Sequence, residues 1–220
     1  MLPFGSGHEI LEPFIEHQGE RRAFWLRRPK PIGARFLIAR QGTAVPSRYR
    51  DRSVIFLTVD SAFGTGGHGT TEGCLIALER AIAGGETVLD VGTGTGILAI
   101  AANKLGATRV VAVDIDRSAC GETERNLAIN GIWRGIVVKE GGIGSADGRF
   151  DTVVANLRTP VLLGLMDELI GKLNPEGVAI LSGIMEKELH PFLSFLDAYP
   201  LDTLNIQRIR GWMTVSLRYG

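Results

Sequence analysis

From Thr70 onward the sequence alternates short runs that are apolar throughout with longer stretches whose apolar residues recur at helical spacing. Thr87–Val91, Arg109–Asp114, Ile136–Lys139, Phe150–Ala155 and Gly177–Ser182 read as strands. Around them, helices are expected from Thr70 or Thr71 (the N-cap candidates) to just before Gly84, over 96–105 closed by Gly106, over 117–130 closed by Gly131, and over 161–173 and 186–196. A strand exposed on one face alternates apolar and polar residues. One that is apolar at every position is covered on both faces, which requires a parallel sheet with helices above and below it. Segments 201–210 and 212–218 are adjacent with no helix between them and predict an antiparallel edge. The fold class is therefore α/β, a doubly wound, mostly parallel sheet.

The first third of the chain has a different pattern. A weak helix is expected over 10–18, Pro29 and Pro31 punctuate the stretch after it, and 35–40 and 53–59 are β-like, either a hairpin or edge strands leading into the main body. Segment 62–69 is too glycine-rich for a regular element and reads as a loop. The reading divides the chain into an N-terminal extension with a basic β segment, 1–60, and a main domain, 61–220.

Charge is unevenly spread. The 24 Lys and Arg balance 24 Asp and Glu overall, so nothing in the net charge points to direct DNA binding. Between Arg21 and Arg52, however, ten basic residues face the single acid Asp51. This segment is either a docking surface for an acidic partner or nucleic acid, or a solvated arginine-rich face. Cys74 and Cys120 are too few for a disulfide framework or a zinc site, and no metal site is expected. They suit a reducing compartment. No run approaches the ~18 apolar residues of a membrane span, and the N-terminus has neither the basic start nor the apolar stretch of a secretory signal. The expected location is the cytoplasm.

In doubly wound sheets ligands bind beyond the carboxyl ends of the strands. The first of the main strands ends in Asp90-Val-Gly92-Thr-Gly94-Thr-Gly96-Ile97. Glycines here allow a tight turn and a close backbone approach, and the next helix offers free N–H groups. The dinucleotide fingerprint spaces its glycines G-x-G-x-x-G, whereas this one reads G-x-G-x-G with Ile97 in the last place, which favours a nucleoside ligand without pyrophosphate. Asp114, about 20 residues on, ends the second strand where a carboxylate can accept both ribose hydroxyls. Asp116 is the better candidate to cap the next helix. Asp90 is suited to hold the turn's amides, to reach a cationic ligand group, or both.

With these features the chain resembles the class I S-adenosylmethionine-dependent methyltransferases. Within them, Ala62-Phe-Gly-Thr-Gly-Gly-His-Gly-Thr-Thr71 resembles the A-F-G-T-G-T-H-P-T-T signature of the PrmA family, which methylates amino groups of ribosomal protein L11. Gly96–Ala102 with Leu105–Ala107, Val113–Asp116, Val154–Leu157 and Leu181–Ile184 extend the likeness over about 30–220. The resemblance implies a Rossmann-like seven-stranded sheet, S-adenosyl-L-methionine as cofactor, and methyl transfer to a protein amine, a ribosomal protein included. It implies that Thr71 meets the cofactor's methionine end and that Asp90, Gly92, Gly94 and Gly96 form the cradle. Asp114 would bind the ribose with Ile115 beside it, and the Phe63–His68 loop would fold over as a lid, with His68 a brace. Asn156, as the catalytic residue, would sit beside both the methyl group and the incoming amine. A small-molecule acceptor, or a different protein, is the alternative.

Three departures from the family pattern carry expectations of their own. Gly67 and Gly69 replace the signature's Thr and Pro, which predicts a more mobile loop. Arg158 places a cation at the acceptor mouth. The ~30 residues ahead of the match are fewer than the family's small α/β recognition domain needs, and the basic segment 21–52 is the expected substitute for docking.

Overall fold

The computed structural model describes residues 28–58, 64 and 66–220; the expected helix over 10–18 and Phe63 lie outside them. Among the described residues ten strands and six α-helices succeed one another in chain order. They are β1 Lys30–Ile32, β2 Phe36–Arg40, β3 Ser53–Leu57, α1 Gly69–Ala81, β4 Thr87–Val91, α2 Ile97–Leu105, β5 Arg109–Asp114, α3 Arg117–Ile129, β6 Ile136–Glu140, β7 Phe150–Asn156, α4 Thr159–Gly164, α5 Met166–Gly171, β8 Leu173–Met185, α6 Leu189–Leu196, β9 Leu201–Ile209 and β10 Trp212–Tyr219.

A seven-stranded sheet carries the order β6-β5-β4-β7-β8-β10-β9. The pairs from β6 through β8 are parallel, and β10 pairs antiparallel with both β8 and β9. The apolar runs of β4, β5, β7 and β8 are buried on both faces, as the sequence pattern requires, while β6 at the sheet edge is only partly covered and exposes Val137. Val88, Val110, Ala112, Val154 and Ile180 pack against α1 and α2. Their neighbours Leu89, Val111, Val113, Val153 and Leu181 pack on the other side against Leu162, Met166, Leu169 and Phe192.

The N-terminal extension forms its own three-stranded sheet, β1-β2-β3. β1 runs antiparallel to β2, but β2 and β3 are parallel, so the hairpin reading of 35–40 and 53–59 fails. The polar segment between them is a crossover connection rather than a turn. Phe36, Ile38, Ile55 and Leu57 join the same core as α1 and α2. Asn126 of α3 and Asn130, its C-cap, bind the edge of β3 as a neighbouring strand would. Asn130 accepts from the Phe56 amide and donates to its carbonyl, and Asn126 accepts from the amide and hydroxyl of Thr58.

Local details depart from the sequence reading in two further places. The single helix expected over 161–173 is two short helices. Leu165 leaves helical geometry (φ −106°, ψ 4°) directly after the weak helix former Gly164, and the bend lets Leu162, Met166 and Leu169 all face the core. Leu173 already belongs to β8, which is longer than 177–182 because it begins with an irregular stretch containing Glu176 at φ 63°.

Candidate active site

Successive strands add outward from the centre of the sheet in opposite directions, β4-β5-β6 one way and β7-β8 the other. The switch point therefore lies between the carboxyl ends of β4 and β7, where such sheets open a crevice. The glycine turn leaves β4 on one side of it and Asn156 ends β7 on the other.

The turn is set by backbone conformations that side chains oppose. Gly92, Gly94 and Gly96 stand at φ 71°, 58° and 78°. A Cβ at Gly92 would lie 2.6 Å from Leu157 Cδ2, and one at Gly96 2.7 Å from Thr123 Cγ2. Glycine is thus required both for the backbone and for space. The turn's polar groups are bound from within the β4–α3 unit. Gly94 N donates to Asp114 Oδ2 (3.0 Å), Thr123 Oγ1 donates to Gly94 O (2.9 Å) and Asn126 Nδ2 to Thr95 O (2.8 Å).

Asp90 is fully buried beneath the turn. Its Oδ2 accepts from the Thr93 hydroxyl (2.7 Å) and from Ala99 N (3.1 Å), and its Oδ1 has no partner among the described residues. Burial pushes this carboxyl up to about 7, with the Thr93 and Ala99 bonds opposing the shift and the charge on Asp114 adding to it. Asp114 Oδ1 accepts from Asp116 N. Its two carboxylate oxygens offer about four acceptor sites, so capacity is left for a diol. Ile115 is 82% exposed beside it, an apolar side chain open to a flat ring. Asp116 caps α3 by accepting from Ser118 N, as expected.

Across the crevice, Asn156 Nδ2 donates to Thr71 Oγ1 (3.4 Å), bringing together two site residues 85 positions apart. Thr71 does not cap its helix, nor does Thr70. His68 does, accepting from the Thr70 amide with Nδ1, because the helix begins at Gly69, ahead of both threonines. The His68 ring is held below its ordinary pKa by burial and by the nearby Arg210, which favours the neutral ring that capping needs. Asn156 is fixed by its neighbour. Leu157 N donates to Ser182 O, and Gly183 at φ 94° packs so closely that a Cβ would stand 2.0 Å from Leu157 O. Arg158 is exposed next to them.

Residues that the sequence reading missed hold the glycine loop ahead of α1. Thr95 Oγ1 donates to Gly64 O, Lys30 Nζ to Gly66 O and Arg210 Nη1 to Gly67 O, while Lys30 and Arg210 both meet Glu72 Oε2 at 2.9 Å. No local signal marks these long-range pairs. Among the described residues no cluster of His, Cys, Asp or Glu is placed to hold a metal ion.

This arrangement is matched along the chain by one family model, ribosomal protein L11 methyltransferase (PrmA), over residues 20–219. The chain belongs to this family. A ribosomal protein L11 methyltransferase of Pelotomaculum thermopropionicum is 38% identical over 88% of this chain and 64% of its own length. That of Halalkalibacterium halodurans is 31% identical over 97% of this chain and 69% of its own. A Lactobacillus delbrueckii relative of the same name is 45% identical, but the chain spans only 43% of its length. The crystal structure of a ribosomal protein L11 methylase from Lactobacillus delbrueckii superposes with a TM-score of 0.81 at 34% identity, covering 87% of this chain and 99% of that one. Of the residues the resemblance singled out, Thr71 meets Asn156 and Gly94 meets Asp114, Asp90 lies buried under the turn beside them, and Phe63 lies outside the described residues.

Proposed function

We propose that the chain is an S-adenosylmethionine-dependent methyltransferase acting on protein amino groups, with a ribosomal protein as acceptor. The observation that carries this reading is the pairing of Asn156 with Thr71 across the switch point from the glycine turn and Asp114. The residues suit the cofactor. The turn presents backbone instead of side chains, Asp114 keeps acceptor capacity for the ribose, Ile115 offers a flat apolar flank, and the unpartnered Asp90 Oδ1 suits a nearby cation.

When bound, the cofactor supplies a methyl group on a sulfonium, a leaving group that departs with the electron pair of the broken C–S bond. The protein's part is mostly positioning, which can contribute up to about 7–11 kcal/mol. An amine with a free pKa of ~10.4 is neutral in only about one molecule in 10³–10⁴ at pH 7, and a cation beside it raises that fraction. With Nδ2 committed to Thr71, Asn156 presents its amide oxygen as acceptor for an amine N–H, directing the nitrogen lone pair at the methyl carbon. The proton lost from the methylated nitrogen passes to solvent. An amide holds no negative charge that would compete for the sulfonium.

The exposed Arg28, Arg35, Arg40, Arg48 and Arg50 of the N-terminal sheet and its flanks support docking of an acidic acceptor surface. Lys30 and Arg52 are used internally, Arg52 by the carbonyls of Ile32, Gly33 and Phe36. Among the described residues no helix is long and apolar enough to cross a membrane. The two cysteines are free and buried, which supports a cytoplasmic location.

The test is radiolabelled methyl transfer to ribosomal proteins and to total metabolites, with calorimetric cofactor titration. Asn156→Ala should lower turnover about 10²-fold with little change in cofactor affinity. Asp114→Ala should weaken cofactor binding roughly 10- to 100-fold, the worth of charged hydrogen bonds. Equal loss of both quantities in each variant would refute the division of roles, and label confined to small metabolites would refute the protein acceptor.

A further inference from the structure

The turn joining β9 and β10 has an unusual composition. Arg210 and Gly211 both have positive φ, 51° and 77°, the geometry of a two-residue hairpin turn that prefers Asn, Asp or Gly at its first position. An arginine there adopts a left-handed backbone conformation that its side chain disfavours. Its side chain leaves the hairpin altogether. It donates to the carbonyl of Gly67, 143 residues away, and to Glu72 in the first turn of α1. Trp212, just past the turn, packs its ring against His68 with centroids 4.8 Å apart. A Cβ at Gly69 would stand 2.6 Å from the Ile209 carbonyl and 3.4 Å from Trp212 Cδ1.

These distances give a physical reason for one of the departures from the family signature. Where that signature has proline, this chain has Gly69, and the hairpin tip occupies the space a side chain would need. The glycine thus belongs with the close packing of the turn. Glu72, mostly buried, ties the arrangement together. It accepts from Arg210 on one side and from Lys30, itself bonded to Gly66 O, on the other.

We infer that the β9–β10 turn is a clasp on the glycine loop, with Arg210 a positioning residue that acts through Gly67 and Glu72 to retain the cofactor. This rests on the methyltransferase reading above, which the pairing of Thr71 with Asn156 carries. Thr71, which touches Asn156, directly succeeds the Gly67–Thr70 backbone that the clasp holds. The clasp is charged and its arginine is half-exposed, so it restrains Gly67 and the first turn of α1 only weakly.

The test compares wild type with Arg210→Gly, Arg210→Lys and Gly69→Ala, titrating each with S-adenosylmethionine by calorimetry and measuring turnover. Arg210→Gly relieves the backbone strain, so its thermal midpoint should be equal or higher, and a weakened site is then not a folding defect. We expect about a tenfold rise in cofactor Kd and KM, with kcat at saturation within about twofold. Lysine should keep the Glu72 ion pair and recover part of the affinity. Gly69→Ala, which pushes the turn outward, should reproduce the loss with Arg210 intact. With Trp25 and Trp133 replaced by Phe, Trp212 emission should change on cofactor binding and respond less when Arg210→Gly is added. Unchanged affinity in Arg210→Gly, or a loss of kcat alone, overturns the clasp while leaving the enzyme reading intact. A wild-type chain that binds no cofactor overturns both.

Discussion

Two glycine-rich segments meet near the switch point, joined by the Thr95–Gly64 bond, and are otherwise held in different ways. The turn after β4 is fixed from inside its own β-α-β-α unit. Its partners Asp114, Thr123 and Asn126 lie 20 to 31 residues away, and Thr123 and Asn126 are completely buried. The loop before α1 depends instead on side chains from the rest of the molecule: Lys30, Thr95 and, from near the far end of the chain, Arg210. The Arg210 side chain is 55% exposed. Buried bonds cannot be exchanged for water and leave unpaired groups when broken. Surface charge pairs exchange easily and are worth about 0–1 kcal/mol each. The turn after β4 is the more firmly held of the two, because the loop before α1 relies for part of its anchorage on the half-exposed Arg210.

The largest effect should come from the cradle's deepest support. Asn126→Ala removes the partners of Thr58 N and Thr95 O together and should cost about 3 kcal/mol in urea unfolding; a loss below about 1 kcal/mol would mean that the cradle is not locked by buried bonds. Next, Gly96→Ala combines positive φ with a 2.7 Å approach to Thr123 and should cost about 2–3 kcal/mol. Gly66→Ala, at φ 74° with Ile38 no nearer than 3.1 Å, should cost about 1 kcal/mol. If the two glycines prove equally sensitive, loop and cradle are equally rigid and the contrast disappears.

Smaller effects are expected from pH. Asp90 has a folded pKa raised from 3.8 to about 7 by burial, so its fold favours the protonated form. The stability it lends is fully present below the unfolded value and declines as pH rises through this window, levelling off above about 7. Thermal melts of the free protein from about pH 4 to 8 should show wild type losing ground to Asp90→Asn over that range, and parallel curves would be the contrary result. His68 behaves oppositely, since its folded pKa is lowered. Its cap on α1, worth about 1 kcal/mol, is present above the ordinary value of 6.5 and is lost as pH falls through the lowered one. His68→Asn, which caps without titrating, should remove this acid sensitivity.

Much of the fold was legible in the residues because parallel strands buried on both faces must be apolar at every position. The limits of β4 and β5 matched the sequence reading, and Asp116 could be assigned as the cap of α3 from its place ahead of that helix. The cradle was equally legible, since a tight turn with three positive φ values needs glycine. The parallel pairing of β2 with β3 was not, because strand direction depends on where a crossover packs and the same apolar runs serve either arrangement. The break at Leu165 was also missed, since the helical spacing continues across it.

The sequence by itself determined the layered α/β architecture, the cradle after β4 and the acidic residue that ends β5, each a local consequence of backbone sterics and burial. Only the tertiary structure decided that Asn156 meets Thr71, that α3 pairs with the edge of β3 through asparagine side chains, and that Arg210 reaches Gly67. These contacts join residues from 68 to 143 positions apart. No local propensity encodes such a pairing, because it exists only once the hydrophobic core has brought the elements together.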